Sequence, residues 1–176
     1  MKTKKILMAA LLMAVTQILF AANNQTTTVN FTAPEKFKDF QSRENKSAKD
    51  QERLMQQMRK LINQSAKKIL AKDLQLTLTV KDVDMAGRLV YPGGSIDLRT
   101  NIVNNDTRAI RVIRDIDREL LDFDYQLTNT QGDVIKQGHK VLSTRNIKSS
   151  TNSRLKYQNS NFGYIMLEFD RWLKKL

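Results

Sequence analysis

Between Leu74 and Val80 the even positions Leu74, Leu76, Leu78 and Val80 are apolar, and Gln75, Thr77 and Thr79 between them are polar. This is the period-two pattern of a strand with one buried face. At Lys81 the phase inverts, so that strict alternation would carry Asp82 and Asp84 inward and Val83 and Met85 outward. Burying two unpaired carboxylates costs several kcal/mol. One extra residue in the strand costs little and is common at strand ends. The expectation is therefore a β-bulge near Lys81, with both aspartates facing solvent or arginine.

The same reading extends along the chain. Thr27, Val29 and Phe31 alternate with Thr28 and Asn30 as a short first strand, which Pro34 ends. Phe37 and Phe40 are the apolar positions of the polar stretch 36–45 and should tuck against the core. From Ser47 to Ala71, Leu54, Met58, Leu61, Ile62, Ala66 and Ile69 recur at steps of three and four, predicting a long amphipathic helix capped by Ser47. After the strand 74–85, "YPGGS" and "NNDT" mark turns around the strands Ile96–Val103 and Ala109–Asp117. Leu121, Phe123, Tyr125 and Leu127 alternate with polar residues and form a hairpin with Val134–Leu142 across "NTQGD". The Ser-, Asn- and Lys-rich stretch 145–161 is expected to be a mobile surface loop. Phe162, Ile165, Met166, Phe169, Trp172 and Leu173 then return at helical spacing. Two apolar helix stripes need a common surface. The fold class expected is α+β, a two-layer sandwich in which a mainly antiparallel sheet of about five strands is covered on one face by the two helices.

The first residues change the picture of compartment. Lys2, Lys4 and Lys5 precede an apolar run, Ile6 to Phe20, and the small residues Ala21 and Ala22. This is the pattern of a cleavable secretory signal, and a run of about 15 residues is short for a membrane span. We expect residues 1–21 to be the signal, residues 22–176 to be one domain without a transmembrane segment, and the location to be the periplasm. Lys2, Lys4 and Lys5 are the charged residues of the signal, so cleavage lowers the formal charge from +12 to +9. Export makes nucleic acid an improbable partner for this basic chain. Envelope polyanions such as lipopolysaccharide or anionic lipid are the natural alternative. Lys49, Arg53, Lys60 and Lys67 share one side of the predicted helix and are the candidate polyanion-binding residues.

With no cysteine there is no disulfide, thiolate nucleophile or cysteine metal site. His139 is the one histidine and stands in a strand away from any "GxSxG" sequence, so a Ser-His-Asp triad has no second anchor. No Walker loop or dinucleotide fingerprint occurs, and no cofactor or metal is expected. Carboxylates are the remaining candidates: Asp82, Asp84, Asp115 and Asp117 would serve an acid/base or cation-dependent hydrolase, if they faced one another.

"VNFTAPEKFKDF", "LTLTVKDVDMAGRL", "RVIRDID", "LDFDYQLTNTQGDVIKQGHKVL" and "FDRWLKKL" together resemble the exported Gram-negative family known as domain of unknown function 3016. "PEKFKD" and "DVDMAGR" are the most specific stretches. "DREL" and "TRNI" depart from the family pattern. The resemblance implies an exported protein and transfers no catalytic residue. The function expected is that of a small binding or accessory protein of the cell envelope, partnered by an envelope protein or a polyanion. The acid/base enzyme and the purely electrostatic binder are the alternatives.

Overall fold

The computed structural model describes residues 26–37, 40–41, 47–90, 95–97, 102–104, 110–114, 116–144 and 160–176. The expected signal, Asp115 and residues 145–159 of the expected loop lie outside them.

Four strands form the main sheet: β1 (Thr27–Phe31), β2 (Gln75–Asp84), β7 (Leu120–Thr128) and β8 (Val134–Ser143), in the order β1-β2-β7-β8. The sheet is mixed. β2, β7 and β8 run antiparallel in sequence, but β1 lies parallel to β2, Thr27 beside Leu76 and Phe31 beside Val80. The reason is the helix α1 (Ala48–Ile69) between them, which carries the chain back to the end where β1 began. The sheet is mainly antiparallel as expected, but has four strands where about five were expected. β1 is parallel, and the strands expected at 96–103 and 109–117 contribute no described residue to the main sheet. Their described parts are three-residue ladders: β3 (Arg88–Val90) pairs with β6 (Ile110–Val112), and β4 (Ser95–Asp97) with β5 (Ile102–Asn104).

One face of the sheet is covered. Leu76, Leu78, Val80, Leu121, Phe123 and Leu127 pack beneath Leu54, Met58, Ile62 and Ala66 of α1 and Ile165, Met166, Phe169 and Leu173 of α2 (Ile165–Leu173). The α+β sandwich of a sheet under two helices is thus present. Ser47 caps α1 by accepting the Asp50 amide proton at 3.1 Å. Phe37 and Phe40 are buried, and Phe40 stacks on Phe162 at 6.1 Å. Trp172 is half-buried, edge-on to Phe123 at 4.9 Å and to Tyr125 at 5.1 Å. The Trp-bearing stripe therefore closes the chain's own core.

Gly132 turns the β7–β8 hairpin with φ +91°, while Asn129 Oδ1 accepts the amides of Gln131 and Asp133. Any larger residue would be strained in this left-handed backbone.

Candidate functional site

The open face of the sheet holds the carboxylates that the phase break singled out. Val80 pairs with Phe123 and Asp82 with Asp122, so Lys81 is the extra residue of a bulge. Val83 and Met85 consequently return to the core, and Asp82 and Asp84 are half-buried on the other side. Asp82 stands across from Asp122, two like charges in direct register. Around them Lys81 Nζ meets Asp124 at 2.7 Å, His139 Nδ1 meets Asp124 at 3.0 Å, and His139 Nε2 lies 3.5 Å from Asp122. Hydrogen bonding from Lys81, and then from His139, holds Asp124 below the usual carboxylate range. These groups form an exposed chain of charge pairs, which water screens.

Asp117 is elsewhere. It accepts from the Arg114 backbone at 2.7 Å and from the Arg114 guanidinium at 3.0 Å, and those bonds keep its carboxyl low. Asp115 lies outside the described residues. Among the described residues no group of three His, Asp or Glu side chains converges to hold a metal ion.

The cationic row is present as a geometric feature. Lys49, Arg53, Lys60 and Lys67 are all exposed, on the side of α1 opposite Leu54, Met58 and Ile62. Lys49 and Lys67 stand 18 positions apart on the helix, which sets the length of the row at about 27 Å. Arg53 is partly occupied, since its guanidinium reaches the buried Asp50 carboxylate at 2.6 Å.

Glu119 and Arg111 have partners that the sequence did not show. Glu119, just before β7, is buried and accepts the Ile165 amide at 2.6 Å, capping the start of α2. Burial pushes its carboxyl up to about 7, against the pull of the Ile165 amide, the Arg111 charge and the Tyr164 amide. The backbone beside it is clamped, because Glu119 N donates to Thr144 Oγ1 and Thr144 N to Glu119 O. Arg111 is half-buried and donates to the carbonyls of Met85, Ala86 and Gly87, and to Gln41 O at 2.8 Å. This explains "DMAGR" as a carbonyl-presenting turn. Gly87 has φ +79°, and a Cβ there would stand 2.2 Å from Val112 O. Arg111 was legible as part of a charged strand, but its carbonyl partners were not.

A family model described as "Protein of unknown function (DUF3016)" matches residues 25–175, and the chain belongs to that family. No curated protein matches it. Among solved structures it is similar to the hypothetical protein CT253 from Chlamydia trachomatis, at 11% identity and TM-score 0.33, over 86% of this chain and 92% of that one. It is also similar to a minor lipoprotein from Acinetobacter baumannii, at 9% identity and TM-score 0.22, over 86% and 90%. TM-scores this low establish no shared fold. No described helix is long and apolar enough to cross a membrane.

Proposed function

We propose that this member of the family is an exported accessory protein of the cell envelope, acting by contact with a phosphate-bearing polyanion rather than by catalysis. The observation that carries the reading is the exposed row of Lys49, Arg53, Lys60 and Lys67 along α1, on a chain whose formal charge is +12 and falls to +9 once Lys2, Lys4 and Lys5 are removed. A line of cations on a rigid helix draws an anionic surface by long-range attraction and meets it along its length. The leading segment 1–21, with its lysines, apolar run and terminal alanine, supports export and a periplasmic location. The acid/base alternative at Asp82 and Asp84 has weaker support, because the bulge at Lys81 turns both toward the open face.

Sedimentation with phosphatidylglycerol vesicles tests the binding. Retention is expected, together with release at about half-molar salt, where the Debye length falls to a few ångströms. The triple variant Lys49→Gln, Lys60→Gln, Lys67→Gln should bind at least tenfold more weakly. Equal retention on phosphatidylcholine, or indifference to salt, would sink the reading. Mass spectrometry of the periplasmic fraction tests the export, and the chain is expected to begin at Ala22.

A further inference from the structure

Among the described residues β8 ends the main sheet, and the direction of its backbone groups follows from the hydrogen bonds around it. Leu76 N donates to Thr26 O and Thr32 N to Val80 O, so the even residues of β2 before the bulge turn toward β1. Its odd residues then face β7. Antiparallel partners alternate in this respect, so the even residues of β7 face β2 and its odd residues face β8. In the β7–β8 register, Phe123 lies opposite Lys140 and Tyr125 opposite Gly138. Gly138, Lys140 and Leu142 therefore bond to β7, and the Thr144 N to Glu119 O bond continues the same series. Gln137, His139 and Val141 point their N–H and C=O groups off the sheet.

The side chains of this edge also stand in water. Three of the six large apolar side chains exposed among the described residues, Val134, Ile135 and Val141, are on β8. Lys136 and Lys140 occupy its inner side, where α2 packs and ends in the exposed Lys174 and Lys175. Lys136 Nζ reaches the Leu176 main-chain oxygen at 3.3 Å. Between the two β8 lysines Gly138 leaves a notch floored by Tyr125, 3.2 Å from where a Cβ would stand. On the outer side the carboxylates of Asp122 and Asp124 are engaged by His139 and Lys81.

We propose that the β8 edge binds an extended acidic peptide by strand addition. The peptide backbone pairs with Gln137, His139 and Val141. Its carboxylates fall beside Lys136 and Lys140, and its apolar residues fall beside Ile135 and Val141, an alternation that matches the two sides of the edge. Charge selects this occupant over a second copy of the chain. Self-pairing centred on Gly138 would set Lys136 of one copy against Lys140 of the other, and edge lysines are a common guard against that association. The inference is independent of α1 and its polyanion.

The probe is a capped decapeptide alternating valine and glutamate, read by amide hydrogen exchange on the parent protein. At saturation it should slow exchange at Gln137, His139 and Val141 at least tenfold. A peptide of the same composition with its residues in like pairs, and one with lysine in place of glutamate, should give less than twofold. Gln137→Pro removes an outward amide while sparing the ladder to β7, and should abolish the protection with the melting temperature retained. Lys136→Glu with Lys140→Glu should transfer binding to the lysine peptide. The triple α1 variant should bind the probe within twofold of the parent, so failure of one reading leaves the other standing. The proposal is overturned if millimolar probe leaves β8 unprotected, or if the paired-order peptide protects equally. Protection without peptide overturns it too: a rise with protein concentration would assign the edge to a second copy, and concentration-independent protection to the chain itself.

Discussion

On the covered face of the sheet Leu78, Val80, Leu121 and Phe123 have almost no exposure, while on the open face Asp122 and Asp124 keep 27% and 45% of their side chains in water. The same strands supply both sets, residue by alternate residue. The covered face gains from burial, roughly 1.5 to 3 kcal/mol for each large apolar side chain taken fully from water. The open face pairs its charges in high dielectric, where each exposed pair contributes about 0 to 1 kcal/mol. Stability therefore resides on one side, and the other side and its edges are where residues can change without unfolding the chain. Recognition surfaces belong in the second group.

Phe123→Ala tests that division with the largest effect. Phe123 is buried against Phe169 at 6.1 Å, Trp172 at 4.9 Å and Tyr125 at 6.5 Å. Its loss should cost about 3 to 5 kcal/mol in urea unfolding, through lost transfer energy and the cavity left behind. A loss under about 1 kcal/mol would mean that α2 is not a principal cover of this face.

Glu119 sharpens the comparison, being a carboxyl placed where the covered face cannot hydrate it. Its folded value is raised to about 7 from an ordinary 4.5, so between those values the folded chain holds a proton that the unfolded chain has released. Stability must then fall as pH rises from about 4.5 to about 7, and level off above. At 1.36 kcal/mol per unit the full drop approaches roughly 3 kcal/mol. Asp117 and Asp124, held low by Arg114 and Lys81, are already ionised throughout this window. Glu119→Gln keeps an oxygen for the Ile165 amide and should flatten the slope between pH 5 and 7. An unchanged slope would assign the pH dependence to another group.

How far each feature was legible follows the distance over which it is specified. The bulge was readable because Val80, Lys81 and Asp82 are neighbours, and a broken alternation is visible within ten residues. The α1 cap was readable for the same reason, with Ser47 next to an apolar stripe. The parallel pairing of β1 was not read, although a strand, a 22-residue helix and a strand in succession imply it. Glu119 was invisible in sequence because its partner, the Ile165 amide, lies 46 residues away. Arg111 looked like any cation of a charged strand; its partners are carbonyls, which leave no side-chain signature. The exposure of β8 was hidden for another reason. Its hairpin with β7 specifies one neighbour and says nothing about the other edge.

The smallest expected effect bears on Lys81 itself. If Lys81 is only an added residue, deleting it rejoins Val80 to Asp82 and leaves a regular strand: Val80, Val83 and Met85 stay inward, and Asp82 and Asp84 stay on the open face. No side chain changes sides, which is unusual for a deletion within a strand, since a one-residue slip ordinarily inverts every side chain beyond it. The chain loses the exposed Lys81–Asp124 pair and the local bend of the bulge. The deletion variant should thus unfold within about 1 kcal/mol of the parent, whereas deleting the buried Phe123 from within β7 should unfold the chain. A loss of several kcal/mol on removing Lys81 would show that the bend is required, most directly to bring the Met85, Ala86 and Gly87 carbonyls beneath the Arg111 guanidinium. In that case the two faces of the sheet would be coupled through the turn that follows β2, and the open face would not be free to change.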